Sequence, residues 1–318
     1  MSGTKGYYNG SKLAMMPAYS KTGNLGMTDR FLLYIDILGF TDMVRKEPRK
    51  VARIYSILDS LNVHKHNSFK TIVFSDTVLV YNIEPASNDA EREYLVWYLT
   101  EFAEDLHHRL TGQDIYFRAA LVAGDFSHYD LKHVECFYGT ALISAYLAEK
   151  DIPSLGLFMD HECAKYNQFF RVAPFNADYS FVYLNRSLEQ LNKHTGGHFP
   201  VEDYQMHMGD IAPYVTWQVR FLQDIYIQMR NHQVPHVRTK FLVAWDFYKQ
   251  RYPEILGILE ENDFSARSLG HAPDWDDLDK YMKRDISYFK RIGSGTKLSK
   301  AITSPNRFNL KFSKSFKG

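Results

Sequence analysis

The sequence predicts an α+β fold, a ferredoxin-like antiparallel sheet covered by helices, followed by a helical C-terminal extension. Three observations carry that prediction. An apolar run at residues 31–37 breaks into a helical pattern after a glycine, two β-rich runs at 70–81 are separated by only two residues, and helical patterns alternate with further strand-like runs up to residue 160. With 318 residues, 45% of them hydrophobic and 15% aromatic, the chain is long enough to bury a large core and elaborate it.

"RFLLYID" reads as a buried strand that ends at Gly39, after which Thr41 or Asp42 caps a helix starting near Met43. Pro48 interrupts that helix or opens a second one. In the second, Ile54, Ile57, Leu58 and Leu61 recur at helical spacing and give one apolar face. "KTIVF" and "TVLVY" then flank Ser75-Asp76, the length of a tight hairpin turn, so Asp76 falls at the tip. "SNDAEREYLVWYLTEFAEDLHHRLTG" begins on a capping residue and ends at Gly112, a complete helix signal. "IYFRAALVAGDF" is a strand, "SHYDLKHVECFYG" returns as another, "TALISAYLAEK" is a helix and "LGLFMD" a short strand. The order is β-α-β-β-α-β with an extra hairpin and helix.

Beyond residue 160 the pattern turns aromatic and helical. "APYVTWQVRFLQDIYIQMRNH" and "VRTKFLVAWDFYKQRYPEILGILEEN" read as two long amphipathic helices. The expected organisation is a flexible lead over residues 1–28, a core bearing the chemistry over 29–165, a helical extension packed on it over 166–283, and a basic tail over 284–318.

Composition excludes several classes. Lys+Arg 38 against Asp+Glu 37 leaves a formal charge of +1, so nothing global argues for direct nucleic-acid binding, although the tail is locally basic. Cys136 and Cys163 are too few for a disulfide framework and lack CxxC spacing, which fits a cytoplasmic protein. No apolar run is long enough for a membrane span, and the N-terminus lacks the apolar centre of a signal peptide. Neither a G-x-x-x-x-G-K-[ST] loop nor a G-x-S-x-G elbow occurs. "HKH" at 64–66 and the adjacent His107 and His108 have no zinc spacing and read as solvated.

One residue is out of place in this pattern. Asp36 sits in an otherwise apolar strand, and a buried carboxylate needs a partner, a shifted pKa or a metal. In a ferredoxin-like sheet the first strand neighbours the hairpin, which brings Asp36 and Asp76 to one edge. Two hard oxygen ligands there suit Mg²⁺ or Mn²⁺, while a turn cap and an ordinary Ser-Asp hairpin tip are the bland alternatives. Gly39 in "LGFT" permits close backbone approach, and the helix that follows offers N–H groups to phosphate.

"YIDILGFT", "FSDT", "FRAALVAGDF" and "FYGTALISAYLAEK", in that order over residues 30–160, resemble the motif set of class III nucleotidyl cyclases. The resemblance implies that Asp36 and Asp76 are catalytic and hold two Mg²⁺ or Mn²⁺ ions per site, with the Ile37 carbonyl completing one shell. It assigns Gly39, Phe40 and Thr41 to the triphosphate and a homodimer to the assembly; Arg118, among apolar neighbours on its strand, reads as a substrate-binding group for phosphate or as the partner of a carboxylate. Lys70, Lys132 and Lys150 are further candidates for the triphosphate. Departures are specific: the family's Asn and Arg, four and eight residues after the motif glycine, are Ile143 and Leu147 here, and its purine-selecting Lys and Asp are Ile72 and Cys136. The "SD" hairpin and the long aromatic extension resemble the pyrimidine cyclases of Pycsar antiphage defence. That implies conversion of UTP, or alternatively CTP, to the 3′,5′-cyclic nucleotide, which activates a separate effector. A degenerate nucleotide-binding module without turnover is the rival from another class.

Overall fold

The computed structural model describes residues 30–202, 211–271 and 275–292. The N-terminal lead and residues 293–318 of the basic tail lie outside the described residues. A seven-stranded sheet organises the chain, in the order β2-β3-β1-β4-β7-β9-β8. Its first four strands are β1 (Arg30–Ile37), β2 (Phe69–Phe74), β3 (Thr77–Asn82) and β4 (Phe117–Gly124). Helices α1 (Phe40–Lys46) and α2 (Pro48–Asp59) join β1 to β2, and α3 (Asp89–Leu110) joins β3 to β4. The spatial order 2-3-1-4, with β1 antiparallel to both β3 and β4, is the ferredoxin-like arrangement.

Local chemistry explains most element boundaries. Gly39 adopts a left-handed conformation (φ 74°), which reverses the chain at once so that the Asp42 and Met43 N–H groups reach its carbonyl. The helix therefore begins at Phe40, three residues before the expected start, and Phe40 is buried in the core. Pro48 takes the first turn of α2, where its missing N–H costs nothing. The Asn88 side chain caps α3 by accepting the Glu91 N–H at 3.0 Å, while Glu91 accepts the Ser87 N–H at 2.7 Å.

β5 (Ser127–Asp130) and β6 (Glu135–Tyr138) form a separate hairpin where one returning strand was expected, because the exposed stretch 131–134 closes a turn with the Leu131 N–H on the Val134 carbonyl. Gly139 then starts α4 (Thr140–Asp151) hard against this excursion; a Cβ there would meet the Asp125 carbonyl oxygen at 2.0 Å. β7 (Gly156–Asp160) pairs parallel to β4. After the short α5 (His161–Lys165), β8 (Val172–Pro174) and β9 (Tyr179–Val182) extend the sheet, so residues 166–283 contribute two strands before their helices begin.

Those helices are α6 (Arg186–Thr195), α7 (Ile211–Asn231), α8 (Pro235–Arg251), α9 (Pro253–Glu261) and α10 (Trp275–Arg291). The second long pattern predicted as one helix breaks at Tyr252, because Pro253 has no N–H to continue α8 and instead begins α9. α10 runs across residue 284, where the basic tail was expected to start.

Both faces of the sheet are covered. Phe31, Leu33, Ile35 and Ile37 point to the side packed by α2 and α3, whereas Leu32 and Tyr34 point to the side packed by α4 and the C-terminal helices. Asp36 is next in that even-numbered series. Its carboxylate therefore faces α4 and the C-terminal helices.

Candidate functional site

β1 lies at the middle of the ferredoxin-like unit, and register places Asp36 opposite Thr77 on β3 and Arg118 on β4. One residue further, the Ile37 N–H donates to the Asp76 carbonyl at 3.0 Å, which fixes the β2–β3 hairpin tip beside the end of β1. Ser75 carries the turn in a left-handed conformation (φ 57°), and Phe74 pairs with Thr77 across it. The Tyr55 hydroxyl donates to the Ser75 carbonyl at 2.9 Å and ties the tip to α2. Asp36, Ile37, Asp76 and the Gly39 turn thus occupy one end of the sheet, 40 residues apart in sequence at the two carboxylates.

Electrostatics at this end are unbalanced. Burial pushes the Asp36 carboxyl above the usual carboxylate range; Arg118 and Lys240 oppose the shift, while Asp76 adds to it. After burial itself, both carboxylates raise the Tyr34 hydroxyl and Asp76 raises that of Tyr55. A cation at the carboxylate pair would relieve both the burial and the mutual repulsion. Two adjacent hard oxygen donors, both partly exposed, one at the end of a buried strand and one on a hairpin turn, form a set that fits Mg²⁺ or Mn²⁺.

Arg118 is only 5% exposed and reaches three groups: Asp36 at 3.6 Å, the Glu149 carboxylate in close contact, and the Ile152 carbonyl, to which it donates at 2.6 Å. Gly39 and Thr41 are exposed, but the Phe40 ring is core, so the turn can offer a ligand only backbone at that position. Lys70 is bound to Glu135 at 3.0 Å, Lys150 lies 4.1 Å from the centre of the Tyr146 ring, and Lys132 is exposed between β5 and β6.

Two residues escaped sequence reasoning. Glu149, the partner of Arg118, sits on α4 with nothing local to mark it. Lys240, on α8, comes within electrostatic reach of Asp36 and Arg118 from 204 residues away in sequence, by tertiary packing alone.

The histidine reading needs correction. His107 and His108 are half-buried rather than free in solvent: His107 packs edge-on to Phe221 at 4.0 Å between ring centres, and His108 lies 4.3 Å from Trp217. The C-terminal helix α7 covers them. On the β5–β6 hairpin, His128, Asp130 and Glu135 have ligand atoms within 4.8 Å of one another. The hydrogen bond from Lys70 holds the Glu135 carboxyl below its usual range, so an ammonium already supplies the positive charge that a metal would bring.

Beside the carboxylates lies an apolar face. Phe74 (74% exposed), Ile143 (61%) and Leu147 (51%) stand in water next to a groove of about 330 Å³ lined by Tyr34, Ile72, Thr77, Leu79 and Tyr146. Exposed apolar groups grouped in this way mark an interaction surface.

No protein-family model and no curated protein matches the chain. Among solved structures, the guanylyl cyclase domain of the RhoGC fusion protein from the aquatic fungus Blastocladiella emersonii is similar in a monomeric form at 15% identity, covering 49% of this chain and 96% of that one, with a TM-score of 0.41. A dimeric form of that domain gives 15% identity, 49% and 94% coverage, and a TM-score of 0.39. The adenylyl cyclase CyaB from P. aeruginosa gives 10% identity, 49% and 94% coverage, and a TM-score of 0.36. Among the described residues no helix is long and apolar enough to cross a membrane.

Proposed function

We propose that the protein is a metal-dependent nucleotidyl cyclase that converts a pyrimidine nucleoside triphosphate, UTP in preference to CTP, to the 3′,5′-cyclic nucleotide and pyrophosphate. The observation that carries this reading is the meeting of Asp36 and Asp76 at one end of the sheet, one at the end of β1 and the other on the hairpin fixed to it. Asp36, Asp76 and the Ile37 carbonyl would hold two Mg²⁺ or Mn²⁺ ions. Such ions supply Lewis acidity and charge neutralisation for in-line attack of the ribose 3′-hydroxyl on the α-phosphorus. The chain's own part is positional. The β1–β3 register sets the spacing of the carboxylates, Arg118 stands beside Asp36 from its anchor on α4, and the Gly39–Thr41 turn presents backbone N–H groups toward the phosphates.

Base choice rests on what is missing. Ile72 lines the apolar groove and Cys136 is half-buried on β6, so neither position offers the Lys or Asp that the resemblance associates with purines. The exposed face around Phe74, Ile143 and Leu147 supports a homodimer that covers the groove. A role in antiphage defence, with the cyclic product activating a separate effector in the cytoplasm, follows from the resemblance to pyrimidine cyclases and from nothing else in the molecule.

Purified protein incubated with ATP, GTP, CTP and UTP in Mn²⁺, with products separated by mass, tests the reading. Cyclic UMP is the expected product, cyclic CMP the nearer alternative, and a purine product contradicts the reading of Ile72 and Cys136. The apolar side chains at Ile143 and Leu147 favour a second reading, a nucleotide-binding module without turnover. Metal-dependent nucleotide binding with no cyclic product would select it.

A further inference from the structure

α8 belongs to the part of the chain beyond the ferredoxin-like unit, yet its first turns pack on the end of β1. Phe241 stands edge-on to the Tyr116 ring with centres 4.8 Å apart, and the Tyr116 carbonyl accepts the Leu38 N–H at 2.9 Å, two residues past Asp36. Val237, one turn earlier on α8, joins the same apolar cluster as Leu38 and Tyr116. Lys240 lies between these two anchors and is half-buried, with Asp36 and Arg118 the charges that act on it.

Two other cations on this side of the sheet are committed elsewhere. Arg118 is held by Glu149 and the Ile152 carbonyl, and Lys150 caps the Tyr146 ring. Lys240 makes no hydrogen bond or ion pair among the described residues. A half-buried ammonium without a contacting anion is unfavourable, and it becomes favourable when an anion arrives. Asp36 is not that anion once it holds a metal ion.

We propose that Lys240 is a substrate-contacting residue whose ammonium receives a phosphate oxygen of the triphosphate bound at Asp36 and Asp76. The inference deepens the cyclase reading and rests on it. A lysine suits the task because its flexible four-carbon stem delivers a compact charge from a helix that the core does not contain. The C-terminal helices are then part of the active site, and the docking of α8 on β1 sets where the triphosphate lies. Had Lys240 served only to offset the Asp36 charge, removing it would strengthen metal binding and leave polyphosphate binding unchanged.

Calorimetric titration of the full chain with inorganic tripolyphosphate in Mn²⁺ separates these roles, using the unmodified protein, Lys240→Met, Lys240→Gln, Lys240→Arg and Asp36→Asn. Loss of one charge-assisted contact is expected to weaken tripolyphosphate binding about tenfold or more in the Met and Gln variants. Arg is expected to restore it to within about threefold, and Mn²⁺ affinity without tripolyphosphate is expected to hold or rise. If the Met and Gln variants bind as the parent does while Asp36→Asn does not, the inference is wrong and the cyclase site stands. If the parent itself shows no Mn²⁺-dependent binding, or Asp36→Asn binds equally, the site and the inference fall together.

Discussion

Arg118 and Asp36 face each other across adjacent antiparallel strands, yet their charged atoms stand 3.6 Å apart while the same guanidinium is in close contact with Glu149 and bonded to the Ile152 carbonyl. Arg118 is thus anchored on α4 and only leans on Asp36. The Asp36 carboxylate keeps most of its capacity to bind a cation.

Replacement of Arg118 by Met leaves the half-buried Glu149 without its partner and cuts the link between α4 and β4. Breaking a fully buried pair on one side typically costs about 3–5 kcal/mol, and the partly exposed Glu149 puts the loss expected for Arg118→Met in urea denaturation at or below the lower end of that range. Arg118→Lys, which keeps the charge but cannot span three partners, is expected to fall between the two proteins.

Asp36 is expected to show opposite effects on stability and activity. Burial raises its pKa above the unfolded value, so the charged form is disfavoured by folding. For an acid shifted upward, this penalty is fully present above the folded pKa and disappears as pH falls below the unfolded one. Asp36→Asn is therefore expected to melt slightly higher than the parent at neutral pH in EDTA, and to lose that advantage in acid. Its cyclase activity is expected to fall by about 100-fold or more, because the metal loses a ligand. A variant that melts lower at neutral pH would show that Asp36 holds the fold together.

His107 gives a second pH signature. Burial, with His108 adding to it, pulls its pKa from 6.5 down to about 3. A depressed base is neutral in the folded chain and charged in the unfolded one, so stability falls as pH drops from about 6.5 toward 3. Denaturation midpoints measured between pH 7 and 4.5 are expected to decline less steeply in His107→Phe, which keeps the ring contact with Phe221.

Phe74 and Leu147 test the assembly. Both side chains are largely in water, so Phe74→Asp and Leu147→Asp should change monomer stability by no more than about 0.5 kcal/mol. Sedimentation velocity is expected to show a dimer for the parent and monomers for the variants, with activity lost in parallel. Active monomers would place the whole site within one chain.

The parts of this fold set by local chemistry were legible in the sequence: the buried first strand, the two-residue turn at Ser75-Asp76, the capped start of α3 and its stop near Gly112. What depended on distant packing was not. β8 and β9 are three and four residues long and hold their places through β7, with little periodicity of their own. The burial of His107 was hidden because its cover, α7, lies a hundred residues on. At the site, Asp36 stood out as a charge in an apolar run and Asp76 through its turn. Glu149 and Lys240 sit on helices whose polar and apolar residues are not sorted into clear faces, where any single charged residue looks solvated.

The most direct measurement is cyclic nucleotide formation from UTP, with and without Mn²⁺, by the parent, Asp36→Ala and Asp76→Ala, each checked for an unchanged circular dichroism spectrum. A metal-dependent product from the parent that vanishes in both variants is the expected result. Product formation that survives the loss of either carboxylate, or that needs no divalent ion, would contradict the assignment of Asp36 and Asp76 as the catalytic pair.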